Sequence, residues 1–293
     1  LKLEANRQVA TLESVAGALH IRPNQAATLL EAMEQGGLLS YGPGSLVLRP
    51  AGRELALHVI RAHRLWESYL AEQTGVAEVK WHHLAERQEH LLSPQAAAAL
   101  AARLGHPLHD PHGDTIPDSG EALPADAGQS VNTVEPGRPF TIVHVEDEPE
   151  TLYAQLLQMG LRPGMRAYVM GKTSEKLRLW ADGQEFDLVP SMAQQLSVTP
   201  LDGVTRAQLR EERFLHELPV GRRGRVLGLS GACRGAERRR LLDLGFVPGS
   251  MIEARLASPI GDPTGYLVRG TLIALRRDQA KHVRIVPAME VAA

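Results

Sequence analysis

Gln155-Leu156-Leu157-Gln158-Met159-Gly160-Leu161-Arg162-Pro163-Gly164 returns later in the chain as Arg240-Leu241-Leu242-Asp243-Leu244-Gly245-Phe246-Val247-Pro248-Gly249. Each copy is a run of helix formers ended by Gly-x-x-Pro-Gly. Glycine is favoured there because it enters left-handed conformations without a Cβ clash, and proline then keeps the helix from resuming. The flanks repeat too. Pro136-Gly137-Arg138 parallels Val220-Gly221-Arg222, and Ser197-Val198-Thr199-Pro200 parallels Arg284-Ile285-Val286-Pro287. A unit that begins with a strand, passes through a short helix ending at glycine and closes with several short strands reads as a small β-barrel. The chain thus holds two tandem barrels, at 131–200 and 216–287, separated by a charged helical connector at 201–215.

Working towards the N-terminus, composition changes. Residues 107–130 are rich in Pro, Gly, Asp and His and read as an extended crossing segment, with 118–130 the linker proper. His106, His109 and His112 are expected to lie in solvent there. Before this segment the signals are helical: a helix capped by Thr11 and running to Leu19, a turn at His20-Ile21-Arg22-Pro23, and a second helix from about Asn24 to Gln35. Gly36-Gly37 stops that helix. Leu38-Leu39-Ser40 and Ser45-Leu46-Val47-Leu48 follow as short strands around the turn Tyr41-Gly42-Pro43-Gly44. Helix, turn, helix and hairpin is the order of a winged helix-turn-helix, placed at 1–55. A long helix from Pro50 to about Gln73, one around His82 to Leu92 and one opened by Ser93-Pro94 complete a helical module at 56–117. The fold class is α+β.

Bulk properties exclude several functions. The formal net charge of 293 residues is -2, and the single cysteine, Cys233, rules out an intrachain disulfide, a zinc finger or an iron-sulfur centre within one chain. No apolar run reaches the ~18 residues of a membrane helix, and Leu1-Lys2-Leu3-Glu4 is not a secretory signal, so the expectation is a cytoplasmic chain that does not insert into membranes. Neither a nucleophile–base pair nor a phosphate loop is present, and the chain reads as a non-enzyme.

Chemistry concentrates in Trp81-His82-His83-Leu84-Ala85-Glu86-Arg87-Gln88-Glu89-His90. On a helix His82, Glu86 and Glu89 share one stripe with His90 beside Glu89, and the preceding helix adds His63 and Glu67 four residues apart. Imidazole nitrogens and carboxylate oxygens form a hard-to-borderline donor set suited to Mn²⁺ or Fe²⁺, with Zn²⁺, Co²⁺ and Ni²⁺ also able to bind. Paired charges on solvated helix faces are the simpler reading of either helix alone; two clusters in successive helices favour a metal.

Arg61-Ala62-His63-Arg64-Leu65-Trp66-Glu67, the His82 to Ser93 stretch and Asp110-Pro111-His112-Gly113-Asp114-Thr115-Ile116-Pro117 together resemble the metal-binding and dimerisation domain of the diphtheria toxin repressor family. The repeated half resembles FeoA-type, SH3-like domains. The resemblance implies a metal-dependent transcriptional regulator, with His63, Glu67 and His82 matching the ancillary metal ligands and Glu86, Glu89 and His90 the primary ones. Glutamate rather than cysteine at position 86 resembles the manganese-sensing branch. The family takes a further ligand from its first helix, and Glu4 is the candidate here. A homodimer is implied, and Leu65, Trp66, Leu70, Leu91, Leu92, Leu100 and Leu104 supply more apolar positions than one thin module is expected to bury.

In a winged helix the second helix enters the major groove of double-stranded operator DNA, with basic residues meeting phosphates. Asn24, Gln25 and Thr28 are the base-reading candidates, and Arg22, Arg49 and Arg53 the phosphate candidates. That helix has no Lys or Arg and carries Glu31 and Glu34. This sustains a second reading, in which the same modules form the cytoplasmic metal-sensing region of a metal-transport protein and bind no DNA.

Overall fold

The computed structural model describes residues 1, 4, 9–42, 45–118 and 128–288. The chain divides into two compact units, Leu1–Leu70 with Lys80–Asp126, and Ala71–Val79 with Ala127–Ala293.

In the first unit, α1 (Leu12–Ala18) begins where the sequence places it. The Thr11 hydroxyl accepts the Ser14 backbone N–H at 3.2 Å, and the Ser14 hydroxyl accepts that of Thr11 at 2.9 Å. These reciprocal bonds satisfy two donors that a helix start leaves open. α2 (Pro23–Gln35) opens on a proline, whose missing N–H costs nothing in a first turn. β1 (Leu39–Gly42) and β2 (Ser45–Leu48) then pair antiparallel, Leu39 against Leu48. α3 (Pro50–Gln73), α4 (Trp81–Glu89) and α5 (Pro94–Arg103) follow, α5 capped by the Ser93 hydroxyl.

Their core is Leu65, Ala97, Leu100, Ala101 and Ile116, with Trp66, Tyr69, Leu92 and Leu104 packed against it. Of the seven residues expected at an interface, Leu65, Leu70 and Leu100 are buried in the single chain, Trp66, Leu92 and Leu104 are half-buried, and Leu91 is strongly exposed, at 74%. One expectation is corrected, since the segment 107–117 is not extended in solvent: Ile116 donates its N–H to the Leu108 carbonyl at 2.8 Å, His109 bridges to Thr115, and Ile116 enters the core. A lone isoleucine among prolines and aspartates has no periodicity by which to announce itself. His106 and His109 are exposed, as expected; His112 is buried.

The second unit carries the repeat. The first copy has β3 (Gln129–Ser130), β4 (Pro139–Val145), α6 (Glu150–Met159), β5 (Arg166–Lys172), β6 (Leu177–Ala181), β7 (Gln184–Leu188), α7 (Pro190–Ala193) and β8 (Leu196–Pro200). The connector then supplies α8 (Arg206–Glu211). The second copy has β9 (Arg213–Phe214), β10 (Arg223–Leu229), α9 (Gly235–Asp243), β11 (Met251–Ala257), β12 (Thr264–Val268), β13 (Thr271–Leu275), α10 (Arg277–Ala280) and β14 (Val283–Pro287). Both form six-stranded sheets in the same order, β3-β8-β4-β5-β6-β7 and β9-β14-β10-β11-β12-β13. Alternate residues of each fill a separate core, around Phe140, Ile142, Leu156 and Leu179 in one and Val226, Leu241, Phe246 and Tyr266 in the other. The repeated glycines end their helices in the left-handed region, as the sequence predicts, Gly160 with φ +86° and Gly245 with φ +93°. The connector is less helical than expected, because Arg213 and Phe214 leave it to pair with Ile285 and Arg284.

Glu78, between α3 and α4 in sequence, belongs to this unit. Its carboxylate lies 3.1 Å from Arg162 of the first copy and 3.8 Å from Arg234 of the second, and accepts the Tyr153 hydroxyl at 3.4 Å.

Candidate metal centre

α3 places His63 and Glu67 one turn apart on one face, so that His63 Nε2 lies 3.1 Å from Glu67 Oε1. α4 brings His82 Nδ1 to 3.6 Å from the same oxygen. His63, Glu67 and His82 each offer a ligand atom, and the three atoms lie within 4.8 Å of one another. The remaining sequence-selected residues extend outward from this group. Glu89 accepts from His63 Nδ1 at 2.6 Å, His90 Nε2 is 3.3 Å from Glu89, and Glu86 is 3.7 Å from His82 Nε2. Glu86 and His90 are largely exposed, whereas Glu67 is buried. Glu4 accepts from Arg53 at 2.6 Å, and is not in the cluster.

A residue the sequence reading set aside completes the surroundings. Asp110 Oδ1 accepts the backbone N–H groups of His112, Gly113 and Asp114 at 2.8, 2.9 and 2.9 Å, folding Asp110-Pro111-His112-Gly113-Asp114 into a tight turn. Arg64 holds the turn from α3, 3.1 Å from Asp114. His112 is thereby buried, its Nε2 3.5 Å from Glu67 Oε1, with Trp81 6.2 Å away ring to ring. The Asp-Pro-His-Gly-Asp string was the available signal, since an aspartate before Pro and Gly builds turns that aim the residue between them.

Electrostatics follow from burial and these contacts. Burial opposes charge on Glu67, yet the side-chain bonds with His112, His63 and His82 win and hold its carboxyl well below the usual carboxylate range. Burial lowers the affinity of His63 for a proton, but the hydrogen bond and charge of Glu67, with the bond to Glu89, leave it raised. A buried carboxylate between imidazoles from two helices is a donor set that fits a divalent cation, where the same acid without one depends on histidine protons for compensation.

Arg22, Asn24, Gln25 and Thr28 are exposed at the start of α2, and Arg49 is exposed after β2. Arg49 Nε donates to Ser40 at 2.9 Å and Gln25 Oε1 accepts the Arg22 N–H at 3.1 Å. Arg53 is half-buried in its bond to Glu4.

Comparison with known proteins agrees with this architecture. The family described as iron dependent repressor, metal binding and dimerisation domain, matches residues 49–118, and the FeoA domain matches 129–200 and 214–287. The iron-dependent repressor IdeR of Mycobacterium leprae is 30% identical over 172 residues, covering 54% of this chain and 74% of that protein. A probable metal transport system membrane protein of Chlamydia trachomatis is 40% identical over 81 residues; that is 28% of this chain and 18% of the length of the relative. A solved manganese-dependent transcriptional repressor complex with manganese superposes with a TM-score of 0.61 at 25% identity, over 66% of this chain and 92% of that one. The chain belongs to the iron-dependent repressor family, and within it carries two FeoA domains in tandem. No helix among the described residues is long and apolar enough to cross a membrane.

Proposed function

We propose that this chain is a divalent-metal-responsive regulator of metal homeostasis that binds double-stranded operator DNA as a homodimer in the cytoplasm, with Mn²⁺ or Fe²⁺ as effector. The observation that carries this is the convergence of His63, Glu67 and His82 from two successive helices. In this reading 1–55 is the winged helix-turn-helix, 56–117 binds metal and dimerises, 118–130 is a linker, and 131–200 and 216–287 are SH3-like barrels around the 201–215 connector. His63 and His82 bind through neutral nitrogens and Glu67 through its carboxylate, with Glu86, Glu89 and His90 as further donors. A bound ion supplies positive charge at the buried carboxylate and ties α3 to α4. Zn²⁺, Co²⁺ and Ni²⁺ would compete in vitro, as expected for mixed nitrogen and oxygen donors. Asn24, Gln25 and Thr28 face base edges while Arg22, Arg49 and Arg53 meet phosphates.

Binding of the chain to DNA from upstream of its own gene, followed with and without Mn²⁺ and Fe²⁺, tests the proposal. Metal-dependent binding that is lost in Glu86→Ala with His90→Ala is expected. The Chlamydia relative favours a second reading, a metal-sensing region of a metal-transport protein. Metal binding by calorimetry with no DNA binding under any condition would support that reading over the first.

A further inference from the structure

The two repeats share a fold but not a surface. In the first, the outer hairpin carries an ion-pair ladder: Arg178 lies 2.9 Å from Glu185 and 3.6 Å from Asp187, and Lys176 lies 2.6 Å from Asp187. Strand register gives the counterparts in the second. Leu177 opposes Leu188 as Thr264 opposes Leu275, so Arg178, Glu185 and Asp187 correspond to Gly265, Leu272 and Ala274. On the next strand Gly171 opposes Arg178 as Leu256 opposes Gly265. The charged ladder has become leucines and small residues. Leu256 and Leu272 converge over Gly265, where an added Cβ would lie 3.5 Å and 3.4 Å from them, and they are 59% and 51% exposed.

β13 is the last strand of its sheet, so its outer backbone edge can accept another strand. Both of its ends are basic. Arg269 precedes it and Arg276 and Arg277 follow it, all exposed and without a salt bridge among the described residues. The nearby acids are engaged: Asp262 accepts the backbone N–H of Arg277 at 2.9 Å, and Asp278 pairs with Lys281 at 2.9 Å. The first repeat has Asp182, Val189 and Pro190 at the corresponding positions.

We propose that the β13 edge of the second repeat is a docking site for an extended segment of a partner protein, apolar at its centre and acidic at its flanks. Strand addition supplies main-chain hydrogen bonds, Leu256 and Leu272 receive alternate apolar side chains, and the arginines select the acids. The same charges disfavour a second copy of this chain: antiparallel pairing of two β13 strands centred on Ile273 sets Arg269 against Arg277, and parallel pairing sets like against like. The inference does not depend on the metal site.

Panning the full chain against phage-displayed random peptides tests it. Selected peptides should combine β-branched or aromatic residues with flanking Asp or Glu and slow amide exchange along β13. Their affinity should fall about tenfold or more, the loss of a central interface anchor, in two variants. One is Gly265→Arg with Leu272→Glu and Ala274→Asp, which restores the ladder of the first repeat; the other is Arg269→Glu with Arg276→Glu and Arg277→Glu. Peptides that bind the ladder variant equally, or a failure to enrich any peptide, overturn the proposal. So does a dimer mass that becomes monomeric in the ladder variant, or binding of the chain to phosphatidylserine vesicles that the ladder variant loses.

Discussion

His112 Nε2 lies 3.5 Å from Glu67 Oε1, and both side chains are almost completely shielded from solvent. The imidazole reaches that oxygen from the 110–114 turn, while His63 and His82 reach it from two helices. Partners of this kind orient a metal-binding carboxylate, and their removal typically costs ~10–100-fold in metal affinity. His112→Phe keeps the ring volume against Trp81 and removes the nitrogen. Mn²⁺ affinity by calorimetry should fall by about that range with the helical circular dichroism unchanged. Unchanged affinity would leave His112 a packing role alone.

Glu78 holds Arg162 and Arg234, one from each repeat. Its replacement by Ala leaves two partly buried guanidinium groups without their shared carboxylate, a loss of about 1–3 kcal/mol for a charge-assisted contact. The urea midpoint of the sheet-rich unit should drop accordingly, and Glu78→Gln should recover part of the loss. Equal midpoints for wild type and Glu78→Ala would place the stability of the unit in its two apolar cores.

Gly231 of the second repeat lies against the first so closely that an added Cβ would sit 2.2 Å from the Pro163 carbonyl oxygen. Backbone must move to admit even a methyl group, at about 1–3 kcal/mol. Gly231→Ala should therefore split the calorimetric unfolding of the repeats or expose the 201–215 connector to protease. A variant with wild-type melting and proteolysis would contradict the packing described.

His282 titrates below its ordinary value of 6.5 because burial disfavours its charged form, with Lys281 acting in the same direction and Glu237 against. The unfolded chain therefore takes up the proton first. Stability from this group is present above about 6.5 and is lost as pH falls below it and through the lower folded value. Acidification from neutral pH should lower the melting temperature of wild type more than that of His282→Gln. Identical pH profiles would show that His282 makes no contribution.

Much of this was legible along the chain. The Gly-x-x-Pro-Gly ends of α6 and α9, the Thr11 cap and the Pro50 and Pro94 helix starts are local: one or two residues decide them, through backbone strain or a hydrogen bond to a near neighbour. Four-residue spacing likewise put His63 beside Glu67, and His82 beside Glu86. His112 escaped because its burial depends on Arg64 and the 110–114 turn packing together, which no periodicity in a Pro- and Asp-rich stretch encodes. What meets the apolar stripe of α3 was not legible for a related reason: α5 and Ile116 pack against part of it, and a helical pattern states which face is apolar without stating what meets it.

The residues alone therefore determined the repeat, the order of elements and the donor types, because those rest on short-range sterics and side-chain chemistry. Tertiary structure decided which donors share one oxygen, which leucines stay exposed over Gly265, and where Glu78 finds two arginines. Each of these rests on strand pairing or core packing that joins separate elements, with Glu67 and His112, or Glu78 and Arg162, brought within a few ångströms of one another from distant parts of the chain.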